Sequence, residues 1–147
     1  MDLLREYDRR RVIEYDLPHK WRVVVGKTAG DNDWLSIKVA QPRDWWFHVR
    51  SLPGSHTLLL ARDNVDPDRD TLHLAARLAA YHSKARSAGV VPVSYTRAAY
   101  VTKPKGAKAG TVRIRKENVL KVRPTTPDEA KTMNTHYTGT LKATETT

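Results

Sequence analysis

The chain has 147 residues, 39% of them apolar, which suits one domain with a real core and is too few for two comfortable ones. Its 26 basic residues against 16 acidic ones give a net charge of +10, which favours a polyanionic partner. The mean hydropathy of −0.61 and the lack of any apolar run near the ~18–20 residues of a bilayer span argue against membrane insertion. There is no cysteine, so disulfides, thiolate metal sites and cysteine nucleophiles are excluded. The N-terminus has no apolar stretch or small-residue cleavage site of a secretory signal, and the expected address is the cytoplasm.

Residues 1–20 read as a charged arm in which Arg9, Arg10 and Arg11 are able to touch phosphate or simply to face solvent. Residues 21–27 (WRVVVGK) are β-branched and predict a strand, followed by a turn over 28–33. Residues 34–39 alternate Leu35, Ile37 and Val39 with Ser36 and Lys38, the pattern of a half-buried strand. Residues 44–50 (DWWFHVR) predict a strand with Trp45, Phe47 and Val49 on one side and Trp46, His48 and Arg50 on the other. A turn at Pro53-Gly54 precedes a further strand over 55–61.

Asp66 followed by Pro67 predicts a helix start, and Gly89 marks its end, with helix expected to about residue 86. Leu74, Leu78, Tyr81 and Ala85 form a stripe for the core, beside a small-residue face of Ala76, Ala79 and Ser83 with Leu72. His73, Arg77 and Lys84 fall within about 40° of one another, either a phosphate-contacting ridge or an ordinary solvated face. Strands are expected over 90–96, 98–103, 111–116 and 119–123, the last two forming a hairpin around Glu117-Asn118. From Pro124 the chain is Thr-rich without apolar periodicity, and a disordered tail is expected over 125–147. The sum is one α+β domain over 21–124: a single, largely antiparallel sheet with one main helix packed on it.

The charge is concentrated in one segment. Residues 97–123 carry nine basic side chains and a single acid, Glu117, whereas residues 1–66 carry 11 basic and 10 acidic ones. Within that segment Lys103, Lys105 and Lys108 punctuate a Pro- and Gly-containing loop that offers ammonium groups and backbone amides to phosphate. Arg113 and Arg115 share one face of the next strand, opposite Val112 and Ile114, and guanidinium groups both pair with phosphate and stack on bases. For residues 44–56 two readings stand. Trp46, His48, Arg50 and His56 form a stacking and hydrogen-bonding surface for unpaired bases, or the tryptophans are core and the histidines satisfy buried polar groups.

The motifs of this chain resemble those of the NFACT-R domain family. The resemblance rests on residues 44–50 with Pro53-Gly54-Ser55-His56, on Val25-Gly26-Lys27 through Asn32-Asp33-Trp34-Leu35, on the alanine-rich stretch 75–86, and on residues 91–96 and 101–110. It runs over residues 21–124, with Thr57 a departure where an aliphatic residue is common. Membership implies a non-catalytic RNA-binding module. The large family members carry further domains and act on stalled large ribosomal subunits, where they hold tRNA and promote C-terminal tailing of the nascent chain. This shorter chain resembles a stand-alone version, so RNA is the expected partner, with tRNA or rRNA of the large ribosomal subunit as the finer expectation and no tailing activity carried over.

The expected RNA-binding set is therefore Trp46, His48, Arg50, His56, Arg77, Lys84, Lys103, Lys105, Lys108, Arg113 and Arg115, with no catalytic residue, metal or cofactor. The alternatives are a metal-dependent enzyme acting on nucleic acid through Asp44, His48 and His56, a DNA-binding protein, or a membrane-surface adaptor. No GxSxG, HExxH or Walker loop is present to favour the enzyme.

Overall fold

A computed structural model describes residues 5–135. Its centre is a six-stranded antiparallel sheet of β1 (Val12–Leu17), β2 (Trp21–Gly26), β3 (Trp45–Val49), β4 (Thr57–Leu59), β5 (Val91–Arg97) and β8 (Asn118–Val122), in the order β1-β2-β4-β3-β5-β8. Two short strands, β6 (Val101–Thr102) and β7 (Arg113–Ile114), pair separately with each other. Among the described residues three α-helices, besides short 3-10 turns, complete the fold: α1 (Ala29–Asp33), which runs on as a π-helix over Trp34–Val39, α2 (Arg69–Tyr81) and α3 (Pro127–Met133). The expected α+β class and the antiparallel sheet are what the chain forms.

Both faces of the sheet are covered. On one face α2 lays Ala75, Ala76, Leu78, Ala79 and Ala80 against Val23, Val25, Phe47, Val49, Leu59 and Val93, all essentially inaccessible to solvent. The run of small side chains lets the helix sit close to the strands, and the aromatic and branched residues fill the space between. On the other face Val12, Val24, Trp46 and Leu58 meet Leu35 from the π-helix and Val101 from β6. This two-sided burial explains why 23–25 is an unbroken valine run and does not alternate. The alternation read across residues 45–50 holds, because Phe47 and Val49 lie in the first cluster and Trp46 in the second.

Several expectations are corrected. Residues 28–39 form a helix where a turn and a strand were expected. Thr28 caps α1 by accepting the Asp31 amide at 3.1 Å, and the Ala40 amide reaches the Leu35 carbonyl at 2.9 Å, an i to i+5 bond. Leu35 is buried while Ile37, which a strand would place on the same face, is exposed. Tertiary hydrogen bonds to Asn32 and Ser36 outweigh the local alternation. Gly26 permits the close approach: a Cβ there would lie 2.1 Å from Asn32 Oδ1.

Helix α2 is capped by Asp68, which accepts the Thr71 amide, and it ends at Tyr81, not near residue 86. Beyond Tyr81 the backbone is drawn to the Pro53-Gly54 turn, where the Ser55 amide donates to the His82 carbonyl at 2.9 Å and the Lys84 amide to the Pro53 carbonyl at 3.0 Å. The hairpin expected around Glu117-Asn118 does not form. β7 pairs with β6 and β8 with β5, and Lys116, at φ 54°, turns the chain between the two sheets.

The boundaries also shift. The arm expected over 1–20 contributes an edge strand, β1, fully paired to β2 from Val12 to Leu17. The tail expected from 125 holds α3, whose Thr126 and Glu129 form a reciprocal capping box. Asn134 then bridges to Tyr15, and the Thr135 amide donates to the Glu14 carbonyl, so the chain returns along the β1 edge. The rest of the expected tail, 136–147, lies outside the described residues.

Asp44 ties the second layer together. Its fully buried carboxylate accepts from Arg5 Nη2 at 3.0 Å, the Gln41 amide at 2.8 Å and the Ala61 amide at 2.7 Å. Replacing Asp44 by Ala leaves these donors and a nearly buried guanidinium without their acceptor. Urea denaturation of Asp44→Ala is expected to show a loss of about 3 kcal/mol or more.

Candidate nucleic-acid interface

A cleft of about 280 Å³ opens on the sheet face opposite α2, between β3, β5 and the segment that carries β7. Its floor is made by His48 and His56 on a base of Trp46, and its walls by Arg50, Ser94, Glu117 and the backbone of residues 110–112. His48 stacks on Trp46 with ring centres 5.9 Å apart and planes 13° apart, while His56 meets Trp46 edge-on.

A chain of buried hydrogen bonds holds this floor. Trp46 Nε1 donates to Ser36 Oγ at 2.9 Å, and Ser36 Oγ lies 2.7 Å from His56 Nδ1. His56 Nε2 is 3.1 Å from the Gly110 carbonyl, which can only accept, so Nε2 carries the proton and Nδ1 accepts from the serine hydroxyl. The ring is thus neutral with a defined tautomer. Burial and the neighbouring His48 push its pKa down to about 4, and burial also lowers that of His48. The chain continues outward. The Gly110 amide donates to Asp33 Oδ1 at 3.0 Å, Asp33 Oδ2 pairs with Lys103 Nζ at 3.0 Å, and Lys103 also donates to the Lys108 and Thr111 carbonyls. Gly110 adopts φ 85°, a left-handed geometry suited to glycine.

These contacts sort the expected site residues. Trp46 is 3% and His56 2% exposed, so both are core groups and neither offers a face to a base. Of the two readings of residues 44–56, the buried one describes these two side chains, while His48 and Arg50 reach the cleft. Lys103 is a pin that folds its own loop around Asp33. Lys105, Lys108, Arg113 and Arg115 are exposed and come together on the β6–β7 hairpin beside the cleft. Arg77 is elsewhere: on α2 it donates to the Arg123 carbonyl at 2.9 Å and pairs with Glu129 at 3.0 Å, which ties α2 to α3. Lys84 is exposed beyond α2, next to the Pro53-Gly54 turn, so the expected ridge of His73, Arg77 and Lys84 is not one surface.

Asp44 is directed to Arg5 and two backbone amides, and among the described residues no group of three or more His, Asp or Glu could hold a metal. The metal-dependent alternative through Asp44, His48 and His56 loses its constellation. No helix among those residues is long and apolar enough to cross a membrane. Residues missed from sequence are Tyr100, Lys116 and Glu117. Arg115 and Lys116 lie 5.4 and 5.2 Å from the Tyr100 ring centre, extending the basic surface, and Glu117 is the sole acid of the basic segment.

The model of the NFACT protein RNA binding domain matches residues 11–116. The chain belongs to that family. The family match covers β1 through β7 and includes the hairpin and the His56 network. Among curated relatives, the Rqc2 homolog RqcH of Streptococcus suis is 41% identical over 76% of this chain and that of Bacillus subtilis 39% over 69%. The matches span only 20% and 17% of those proteins, so the chain corresponds to about a fifth of their length. A solved structure of the C-terminal of the fibronectin/fibrinogen-binding protein from Streptococcus suis superposes with a TM-score of 0.79 at 37% identity, over 87% of this chain and 51% of that one.

Two outcomes follow from the geometry of this NFACT domain. Trp46→Ala is expected to lower unfolding stability by about 3–5 kcal/mol, read by urea denaturation, because it opens a cavity and strands Ser36. The pH dependence follows from His56 and His82, both held to about 4 in the fold. Their folded pKa values lie below the unfolded 6.5, so the unfolded chain binds more protons between these limits. Stability is fully present above about pH 6.5 and is lost as pH falls toward 4, with a slope of up to about 1.4 kcal/mol per pH unit for each histidine. Urea midpoints across this range, with His82→Gln expected to flatten the slope, provide the measurement.

Proposed function

We propose that this chain is a non-catalytic RNA-binding module that engages the phosphate backbone through the β6–β7 hairpin. The observation that carries the reading is the contrast in how charges are used. Arg5, Arg9, Arg11 and Arg22 are each paired with a carboxylate, whereas Lys105, Lys108 and Arg113 are exposed with no carboxylate partner among the described residues. Uncompensated cations on one hairpin make a sequence-independent phosphate surface. Pinning by Lys103 and Gly110 lowers the ordering cost of that surface on binding.

The finer ligand follows from the family. The family's RNA-binding description and the relatives named Rqc2 homolog RqcH support an RNA ligand, and the motif resemblance narrows the proposal to tRNA or large-subunit rRNA, with a ribosome-associated, cytoplasmic place of action. Crosslinking in cells with sequencing of bound RNA tests that choice. Recovery of tRNA or large-subunit rRNA is the expected result, and its absence from the bound RNA would overturn it.

The double variant Lys105→Ala/Lys108→Ala is expected to keep the wild-type circular dichroism spectrum and to weaken RNA binding. The slope of log K against log salt should fall by about 0.7–0.9 for each phosphate that the variant no longer neutralises. Unchanged affinity and slope would remove the hairpin from the interface.

A further inference from the structure

Resting on that RNA-binding reading, we propose that the cleft beside the hairpin receives one unpaired base of the bound RNA and selects guanine through Glu117 and Arg50. At about 280 Å³ the cleft lies below the range of ~300–1,000 Å³ that holds drug-sized ligands, so a fragment such as a single base is the suitable occupant. Its floor suits a flat ring. His48 lies in the cleft and is itself stacked on the buried Trp46, which fixes the imidazole plane.

The wall is the unusual part. In a segment with nine basic residues the one carboxylate, Glu117, lines the wall of the cleft with its side chain one-third exposed. A carboxylate there repels phosphate, so the cleft is not a continuation of the backbone-binding surface. Its chemistry is that of a group that accepts hydrogen bonds from a ligand. The Ser94 hydroxyl donates to Glu117 Oε2 and positions it, and Arg50 Nε lies 3.6 Å from the same oxygen. Oε1 has no partner among the described residues. An ionised carboxylate offers about four lone-pair sites, so most of its accepting capacity is open.

The pairing edge of guanine presents one acceptor, O6, and two adjacent donors, N1–H and the N2 amino group. Arg50 supplies the donor for O6, and Glu117 supplies acceptors for the two N–H groups. Adenine and uracil each present a single donor on that edge, and cytosine presents one donor beside two acceptors. None of these three uses both carboxylate oxygens. Phosphates on either side of the inserted nucleotide then lie toward the lysines and arginines of the hairpin.

The test uses the full chain and hairpin RNAs whose uridine loop carries at its centre one guanosine, inosine, adenosine, cytidine or a further uridine. Fluorescence anisotropy is expected to give roughly tenfold or greater tighter binding for guanosine than for adenosine, with inosine between them because it lacks the N2 amino group. Glu117→Gln and Glu117→Ala should abolish that preference while leaving affinity for the adenosine loop unchanged or higher. Glu117 is partly exposed, and a wild-type melting profile of both variants shows that loss of preference is not loss of fold. Lys105→Ala/Lys108→Ala should weaken all five RNAs alike and keep the ratio. Equal binding of all loops, or a guanosine preference that survives in both Glu117 variants, overturns the guanine site and leaves backbone binding standing. Failure to bind any of the hairpins overturns both.

Discussion

The neutral imidazole of His56 joins three parts of the chain that are far apart in sequence. It accepts from Ser36 on the π-helix, donates to Gly110 of the basic hairpin, and its backbone amide donates to Asn32 at 3.1 Å. Each bond satisfies a buried polar group that would otherwise cost about 1–3 kcal/mol to leave unmade. The π-helical turn places Ser36 between Trp46 and His56, and the left-handed Gly110 aims its carbonyl at the ring. This junction fixes the polar side of the second layer, whose apolar side, Leu35 and Val101, packs on Val12, Val24, Trp46 and Leu58. The cleft forms where that layer leaves His48 half-buried while closing over Trp46 and His56.

Charge is divided by use. The first half of the chain is nearly neutral in composition and pairs several of its acids with bases: the buried Asp44 with Arg5, the buried Glu14 with Arg9, and the part-exposed Asp31 with Arg11. Buried carboxylates of this kind specify where arms and turns dock more than they add stability. The hairpin segment has the opposite character, with Lys105, Lys108 and Arg113 left to solvent, Lys103 pinned to Asp33, and the single acid, Glu117, lining the cleft. A polyelectrolyte partner reads the first half as neutral and the hairpin as a patch. The separation leaves the exposed hairpin cations outside the ion pairs that hold the fold together.

Sequence patterns were informative where one force dominated. The valine run at 23–25, the alternation at 45–50 and the alanine-rich α2 depend on burial alone, and burial follows hydrophobicity. The basic hairpin was visible because charge density is a property of composition. The motif order over 44–56, 75–86 and 101–110 carried the family. Reading failed where a distant partner decided the local conformation. Leu35, Ile37 and Val39 alternate as a strand would, yet Asn32 and Ser36 bond to His56 and Trp46, and the segment winds into a helix. Arg77 looks like a phosphate ligand on a helical wheel, but the wheel does not show Glu129 and the carbonyls of residues 123 and 124 that it holds. The strand β1 was hidden among charges because Glu14 is fully buried beneath the part-exposed guanidinium groups of Arg9 and Arg22, which no periodicity reports.

From the sequence alone come the α+β class, the antiparallel sheet with a helix on it, the family, and the location of the excess charge. These are sums over local pattern and composition, which survive ignorance of who touches whom. The tertiary structure decided which of the expected site residues face outward: Trp46, His56, Lys103 and Arg77 became parts of the scaffold, while Lys105, Lys108, Arg113 and Arg115 stay exposed. It also brought Glu117 and Arg50 into one cleft across 67 residues of chain. The physical reason is that a polar side chain has no intrinsic preference between a buried partner and solvent. Its role depends on whether the fold delivers a partner with the right geometry, and that is settled only when distant segments meet.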